Sequence, residues 1–281
     1  MCGINGITDE STKLVERMNS ASRHRGPDGT RIVEEQGVTL GFNRLAIIDL
    51  SEAAMQPMQA HSGRYIIIFN GEIYNYKELK QELAPYPFKT ESDTEVILAA
   101  YERWGDQAFG KLNGMFGLAI WDTETKRLVL ARDPAGIKPL YYSIYNNQLI
   151  FSSELMPILE AGVPRILNQK AAAHYFRLLY VPKGMTMIKG VHKLLPGRML
   201  VYENGVTTEK QIVGEWSATA PRTYGDAVAA VRSGVEEAVT RQLVSDRPVG
   251  VYLSGGIDSS AILAATWTLV FFPPEADLPL T

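Results

Sequence analysis

MCGINGITDE, residues 1–10, carries the only cysteine of the 281-residue chain, at position 2. Cytosolic aminopeptidases remove an initiator methionine when the second residue is small, and cysteine qualifies, so Cys2 is expected to become the first residue. A free α-amino group has a pKa of about 7.7–8.0 and a thiol one of about 8.5, so near neutral pH the terminus can act as base toward its own side chain. Nucleophile and base then reside in a single residue. Gly3 lacks a Cβ and lets a substrate carbonyl approach the backbone closely. The same residues also read as an incidental cysteine in a frayed terminus, and the terminus alone leaves both readings open.

Composition narrows the field. With 46% hydrophobic and 21% charged residues the chain can bury a sizeable core. A net charge of −3 gives no global attraction for nucleic acid or an anionic membrane, and neither is expected as a partner. No apolar run approaches the ~18 residues of a membrane span, and the first ten residues lack the basic region and long apolar stretch of a secretory signal, so a cytoplasmic location is expected. The four histidines, His24, His61, His174 and His192, are scattered and show no zinc-ligand spacing with the lone cysteine, so no metal site is expected.

Short apolar or alternating runs fill the first two thirds: YIIIF at 65–69, MFGLAIWD at 115–122, RLVLARD at 127–133 and LYYSIYNNQLIFSS at 140–153. They read as strands, with hairpin-like breaks at TETK (123–126), NNQ (146–148) and ENG (203–205). Segments 11–22, 76–84 and 93–104 have helical spacing. Clustered strands with a few helices between them predict a layered α+β domain of mostly antiparallel sheets. After about residue 214 the pattern changes to a helix from Tyr224 to about Leu243, then VGVYL as a buried strand, SGGIDSS and AILAAT. Helix, strand, glycine-rich turn and helix open an α/β nucleotide-binding sheet, so a boundary is placed between about residues 200 and 222.

Further motifs follow the terminus in order: RHRGPDG (23–29), GFNRLAIIDLS (41–51), MQPM (55–58), FNGEIYNY (69–76), ESDTE (91–95), GMFGLAIWD (114–122) and ARDPAGIKPLYY (131–142). Here the sequence resembles the class II, N-terminal-nucleophile glutamine amidotransferases, and in particular the glutamine-hydrolysing asparagine synthetases. The resemblance covers roughly residues 2–265. It implies a four-layer αββα sandwich over residues 2–205, followed over 215–281 by the first part of an α/β ATP-pyrophosphatase-type domain.

The resemblance also implies roles. Asn70 and Gly71, delivered by the YIIIF strand at its C-terminal end, would form the oxyanion hole that receives the charge developed when Cys2 attacks the glutamine amide; NG is also a common turn pair. Arg44, in the otherwise apolar NRLAIID, would clamp the α-carboxylate of glutamine with its guanidinium fork, or pair structurally with Asp49. Asp93, supported by Glu72, would accept from the substrate ammonium, while SDTE doubles as a helix N-cap with Ser92 as the cap. RGPDG is strong turn chemistry near the pocket, ARDPAGIKPLYY reads as scaffold, and Glu154 belongs to an FSSE segment after which Met156-Pro157 replaces the Lys-Ala of many relatives.

LSGGIDSS at 253–260 is more specific than a glycine pair, because backbone N–H groups, serine hydroxyls and a helix N-terminus all point at one anion. It is similar to the pyrophosphate loop of N-type ATP pyrophosphatases and lacks the Gly-Lys-Ser/Thr of a Walker A motif. Ser254, Gly255, Gly256, Asp258, Ser259 and Ser260 would hold ATP phosphates, Asp258 toward Mg²⁺, with ATP and Mg²⁺ needed only for amidation of aspartate and not for release of ammonia from glutamine. A Gly-Gly strand-to-helix turn is the plainer alternative. After AILAAT the chain reads WTLVFFPPEADLPLT, of which FFPPEADLPLT, residues 271–281, looks unlike the family, so an incomplete synthetase half, an unsatisfied sheet edge and exposed LVFF are expected. Glucosamine-phosphate and phosphoribosylamine amidotransferases share the terminal cysteine but not SGGIDSS; β-lactam synthetases generally lack the cysteine. A truncated, non-catalytic module that binds a full-length relative, a homodimer, and an amidotransferase with another carboxylate acceptor stay open at this level.

Overall fold

A computed structural model describes residues 1–212 and 221–271. In chain order the first elements are β1 (Gly3–Ile7), α1 (Thr12–Ala21), β2 (Gly29–Glu35), β3 (Val38–Arg44), β4 (Met58–Gln59) and β5 (Tyr65–Ile73). Next come α2 (Tyr76–Glu82), α3 (Asp93–Trp104), β6 (Gly114–Asp122), β7 (Arg127–Arg132), β8 (Tyr141–Tyr145) and β9 (Gln148–Ser152). The remainder are α4 (Leu155–Glu160), α5 (Gln169–Leu178), β10 (Val191–Lys193), β11 (Arg198–Glu203), β12 (Val206–Gln211), α6 (Tyr224–Gln242) and α7 (Ile257–Phe271). The chain divides into two compact units, Met1–Gly214 and Glu215–Thr281.

In the first unit the strands form two six-stranded sheets, ordered β10-β8-β9-β1-β3-β2 and β12-β11-β7-β6-β5-β4. Every pairing is antiparallel. The hairpin breaks turn where the residue types permit left-handed backbone: Asn146 and Asn147 between β8 and β9, and Asn204 and Gly205 between β11 and β12, all have positive φ. Two successive positive φ values are what a two-residue hairpin matched to strand twist requires.

One core joins the facing sheets. Ile4, Leu40, Phe42 and Phe151 of the first sheet pack against Ile66, Ile68, Trp121, Leu128 and Leu130 of the second. On the outer face of the first sheet, Ile7 and Ile150 meet Val15 and Met18 of α1 and Ile158 of α4. On the second sheet, α3 lies against β5 with Val96, Ile97 and Leu98 buried. Helix, sheet, sheet, helix is the four-layer sandwich the motifs imply.

In the second unit Thr223 and Asp226 close a reciprocal capping box at the start of α6. The expected strand VGVYL does not form: residues 250–253 are irregular, with Tyr252 and Leu253 exposed. A strand exists only as part of a ladder, and no described residue of this unit offers one. The side chains of LVFF at 269–272, and the tail from 272, lie outside the described residues.

Leu130 is fully buried between the sheets. Leu130→Ala should lower unfolding free energy by about 2–5 kcal/mol, against at most about 0.5 kcal/mol for the exposed Thr207→Ala, read by denaturant titration of the purified chain.

Candidate active site

Strand β1 sits in the middle of its sheet, paired with β3 on one edge and β9 on the other, which fixes Gly3 opposite Asn43. The half-buried Cys2 thiol therefore emerges where β3 ends. There the Leu45 N–H donates to Cys2 Sγ at 3.4 Å, and the thiol in turn reaches the Leu45 carbonyl at 3.4 Å. Arg25 Nε donates to the Cys2 carbonyl at 2.9 Å while its Nη1 pairs with Glu154 at 2.9 Å. The Ile4 N–H donates to the Ser153 hydroxyl at 3.1 Å. Asp28 accepts from the Ala46 N–H at 2.9 Å, which ties the RGPDG loop to the segment that holds the thiol.

Across the cleft, the second sheet presents Asn70 and Gly71. The strand runs on past YIIIF to Ile73, so Asn70 and Gly71 lie inside β5, opposite Gly117 and Phe116 of β6. β4 pairs with β5 only at Ile66 and Ile67, so the edge of β5 beyond them is open to other partners. The Phe69 N–H donates to Gln56 Oε1 at 2.6 Å and the Ile73 N–H to Asp93 Oδ2 at 2.9 Å. N–H groups two residues apart leave the same edge of a strand, so the Gly71 N–H points the same way, between those two. The Asn70 side chain is 1% exposed, and its Nδ2 has no hydrogen-bond partner in the described structure. A Cβ on Gly71 would lie 2.1 Å from the Met115 carbonyl oxygen, so only glycine fits there.

Cys2, Arg44, Asn70, Gly71, Glu72 and Asp93 line one cleft together with Met1, which the structure retains. Every expected residue of the first site is thus brought together. Arg44, 6% exposed, spends part of its fork on the loop that follows it: Nη1 donates to the Ser51 carbonyl at 2.8 Å and Nη2 to that of Asp49 at 2.6 Å. The Asp49 carboxylate accepts instead from the Ser51 N–H and hydroxyl and from the Glu91 N–H. The two roles of SDTE coexist: Ser92 accepts from the Glu95 N–H as the cap of α3, and Asp93 points into the cleft.

Electrostatics follow from burial. Burial pushes the Cys2 thiol above its ordinary value, with the Leu45 hydrogen bond working the other way. The Met1 amine is lowered, first by burial and then by the cations Arg25 and Lys138. Asp93 is raised to about 7, chiefly by burial and further by the neighbouring Glu72 carboxylate, against the opposing Ile73 N–H bond.

Sequence reasoning missed Arg25, Leu45, Gln56 and Lys138 as parts of this site. Arg25 and Lys138 stand in motifs read as turn and scaffold; their signal was a cation beside apolar or turn residues that bury it. Leu45 and Gln56 carry none, since they act through a backbone and an amide placed by the fold.

In the second unit Ser254 Oγ and Ser259 Oγ lie 3.0 Å apart, Ser259 Oγ donates to the Gly256 carbonyl, and Gly255 has φ of +80°. No atom lies within 4 Å of where a Cβ on Gly255 would stand, so the turn before α7 is open at that residue. Among the described residues no group of three or more His, Cys, Asp or Glu could hold a metal ion. No helix of the described residues is long and apolar enough to cross a membrane.

The sequence matches the glutamine amidotransferase domain family over residues 1–213 and the asparagine synthase family over residues 230–267. It is 38% identical over 275 residues to asparagine synthetase [glutamine-hydrolyzing] 1 of Bacillus subtilis (strain 168), covering 94% of this chain and 43% of that protein. Over 294 residues it is 34% identical to a putative asparagine synthetase [glutamine-hydrolyzing] 2 of Methanocaldococcus jannaschii, covering 94% of this chain and 56% of the relative. The chain thus spans about half the length of these relatives. Glutamine phosphoribosylpyrophosphate amidotransferase from B. subtilis shares the fold, with a TM-score of 0.60 at 17% identity over 94% of this chain and 64% of that one.

Asp93 supplies a stability test. Its folded-state value near 7 lies above the unfolded value of about 3.9. Between those pH values the folded chain holds a proton that the unfolded chain releases, so this group lowers stability as pH rises from about 4 to about 7. Asp93→Asn should therefore melt higher than the parent at pH 8, with the difference shrinking toward pH 4–5 in thermal scans.

Proposed function

The chain belongs to the glutamine amidotransferase domain family, and from that premise we propose that residues 2–205 form a glutaminase that uses Cys2 to release ammonia from glutamine. The observation that carries the reading is a buried, unpartnered Asn70 Nδ2 on the wall of the cleft that holds the thiol. An orphaned buried donor costs about 1–3 kcal/mol unless something accepts from it, and an oxyanion formed on attack by Cys2 supplies that acceptor.

The steps follow from the placement of the groups. Removal of Met1 clears a residue from the cleft wall and frees the Cys2 amine, on which Arg25 and Lys138 would act as they act on the Met1 amine. A neutral amine takes the thiol proton, and sulfur bonds the amide carbon. The oxygen that becomes negative receives hydrogen bonds from Asn70 Nδ2 and the Gly71 N–H. The carbon–nitrogen bond then breaks, the departing nitrogen takes up the proton as ammonia, and water hydrolyses the thioester to glutamate and free thiol. Remaining donors of Arg44 face the substrate carboxylate; Glu72 and Asp93 receive its ammonium, and an Asp93 that titrates near 7 ionises as that cation arrives.

We assign residues 215–281 to the start of a synthetase domain. Ser254, Gly255, Gly256, Ser259 and Ser260 would hold the phosphates of ATP, which when bound serves to activate a carboxylate for amidation. Aspartate is the acceptor indicated by the names of the relatives, and a cytosolic setting suits a chain that depends on a reduced thiol.

Glutamate release from glutamine should be lost in Cys2→Ala with the fold retained, and should fall about 10²–10³-fold in Asn70→Ala. Inserting lysine between Met1 and Cys2, which blocks methionine removal, should also abolish it. An enzymatic glutamate assay with intact-mass verification of the terminus decides. Full turnover by Cys2→Ala overturns the nucleophile, and no release from a correctly processed chain favours the non-catalytic module.

A further inference from the structure

Lys138 enters the chemistry above only through its charge on the terminal amine, yet it is buried beneath the other end of the cleft as well. Its side chain is 5% exposed, and its Nζ stands 3.6 Å from Glu72 Oε2. That separation is too long for a hydrogen bond, and Glu72 Oε2 is itself a buried oxygen without a hydrogen-bond partner. The lysine is held there firmly: its N–H donates to Asp133 Oδ2 at 3.0 Å, and its carbonyl accepts from Arg132 Nε at 2.7 Å. Asp133 also accepts from the N–H of Phe116, the β6 residue opposite Gly71. The turn that presents Lys138 is therefore locked to the same strand register as the oxyanion pair. A buried ammonium costs free energy without a countercharge, and Glu72 is the partner within ion-pair distance.

Glu72 lines the cleft beside Asp93, and with its buried Oε2 turned to Lys138 the other carboxylate oxygen, Oε1, is the one left for the cleft. We propose that Lys138 is a positioning residue of the glutamine site, an ammonium that holds Glu72 Oε2 from behind so that Oε1 meets the α-ammonium of the substrate. This rests on the glutaminase reading and extends it: beside its charge on the terminal amine, the cation acts on the affinity and selectivity for an α-amino group. The charged groups around Glu72 are Lys138 from the 133–139 turn, Asp93 from the start of α3, and the terminal amine with Cys2 at the head of β1.

The test compares Lys138→Met, which keeps length and apolar bulk but removes the charge, with the parent chain on two substrates: glutamine, and glutaramate, the same amide and carboxylate without the α-amino group. Because Lys138 also lowers the terminal amine, the readout is the ratio of kcat/KM for glutamine to that for glutaramate: Lys138→Met should lower this ratio about tenfold, chiefly through a higher KM for glutamine, while any effect through the amine changes both substrates alike. A fall by the same factor on both substrates, or no change on either, overturns the inference, because a merely structural loss does not distinguish them. Calorimetric titration of both ligands into processed chains carrying Ala in place of the nucleophile, with and without Lys138→Met, reads the same selectivity without turnover. A parent chain that neither hydrolyses nor binds glutamine overturns the glutaminase reading and this inference together. Glutamine turnover with unaltered selectivity in Lys138→Met overturns the inference alone.

Discussion

A polypeptide terminus usually frays, because too few interactions offset the entropy of fixing it. Here the first strand is hydrogen-bonded along both edges, between β3 and β9, and its residues Gly3–Ile7 are all buried. The polar groups beneath it extend the restraint: Asn5 donates to Asn19 and Ser22 and accepts from Ser152, and Asn43 donates to Asn19 and Ser22. With β1 immobile, Cys2 has little freedom left, and Arg25 and Leu45 remove most of that. A nucleophile that must meet a carbon within a fraction of an ångström gains its precision from sheet pairing rather than from its own contacts.

The opposite wall obeys the same logic. β5 presents alternate N–H groups along an edge that β4 leaves uncovered, and side chains from the Gln56 loop and from α3 satisfy the positions on either side of Gly71. The two sheets therefore meet at one end as an edge of donors facing a thiol. Leaving Asn70 Nδ2 and Glu72 Oε2 without hydrogen bonds, and pressing Asp93 against Glu72, is costly to the resting fold. The large core between the sheets offsets that cost, as is usual where a site holds groups ready for a ligand.

The second unit shows the contrast. Its helices form on local signals, a capping box for α6 and the turn at Gly255 before α7, yet α6 buries no residue and the segment before the SGGIDSS loop makes no ladder. Caps and turns need only a few neighbours in sequence, whereas a parallel sheet needs strands from elsewhere in the chain. The SGGIDSS turn thus takes shape among the described residues without a sheet beside it.

The residue order alone determined the class of this domain and singled out the lone cysteine at position 2: alternating strands and asparagine-containing hairpin turns are local patterns with local causes. It also picked out Asn70, Gly71, Glu72, Asp93 and Arg44, because each stands in a motif whose chemistry is conspicuous. Only the tertiary structure decided that Asn70 and Gly71 act from inside a strand, that Arg44 gives two donors to its own loop, and that Arg25, Leu45 and Lys138 belong to the site. Those facts depend on strand register and on which edge an N–H leaves, and both are fixed by pairings between residues tens of positions apart that no local pattern encodes.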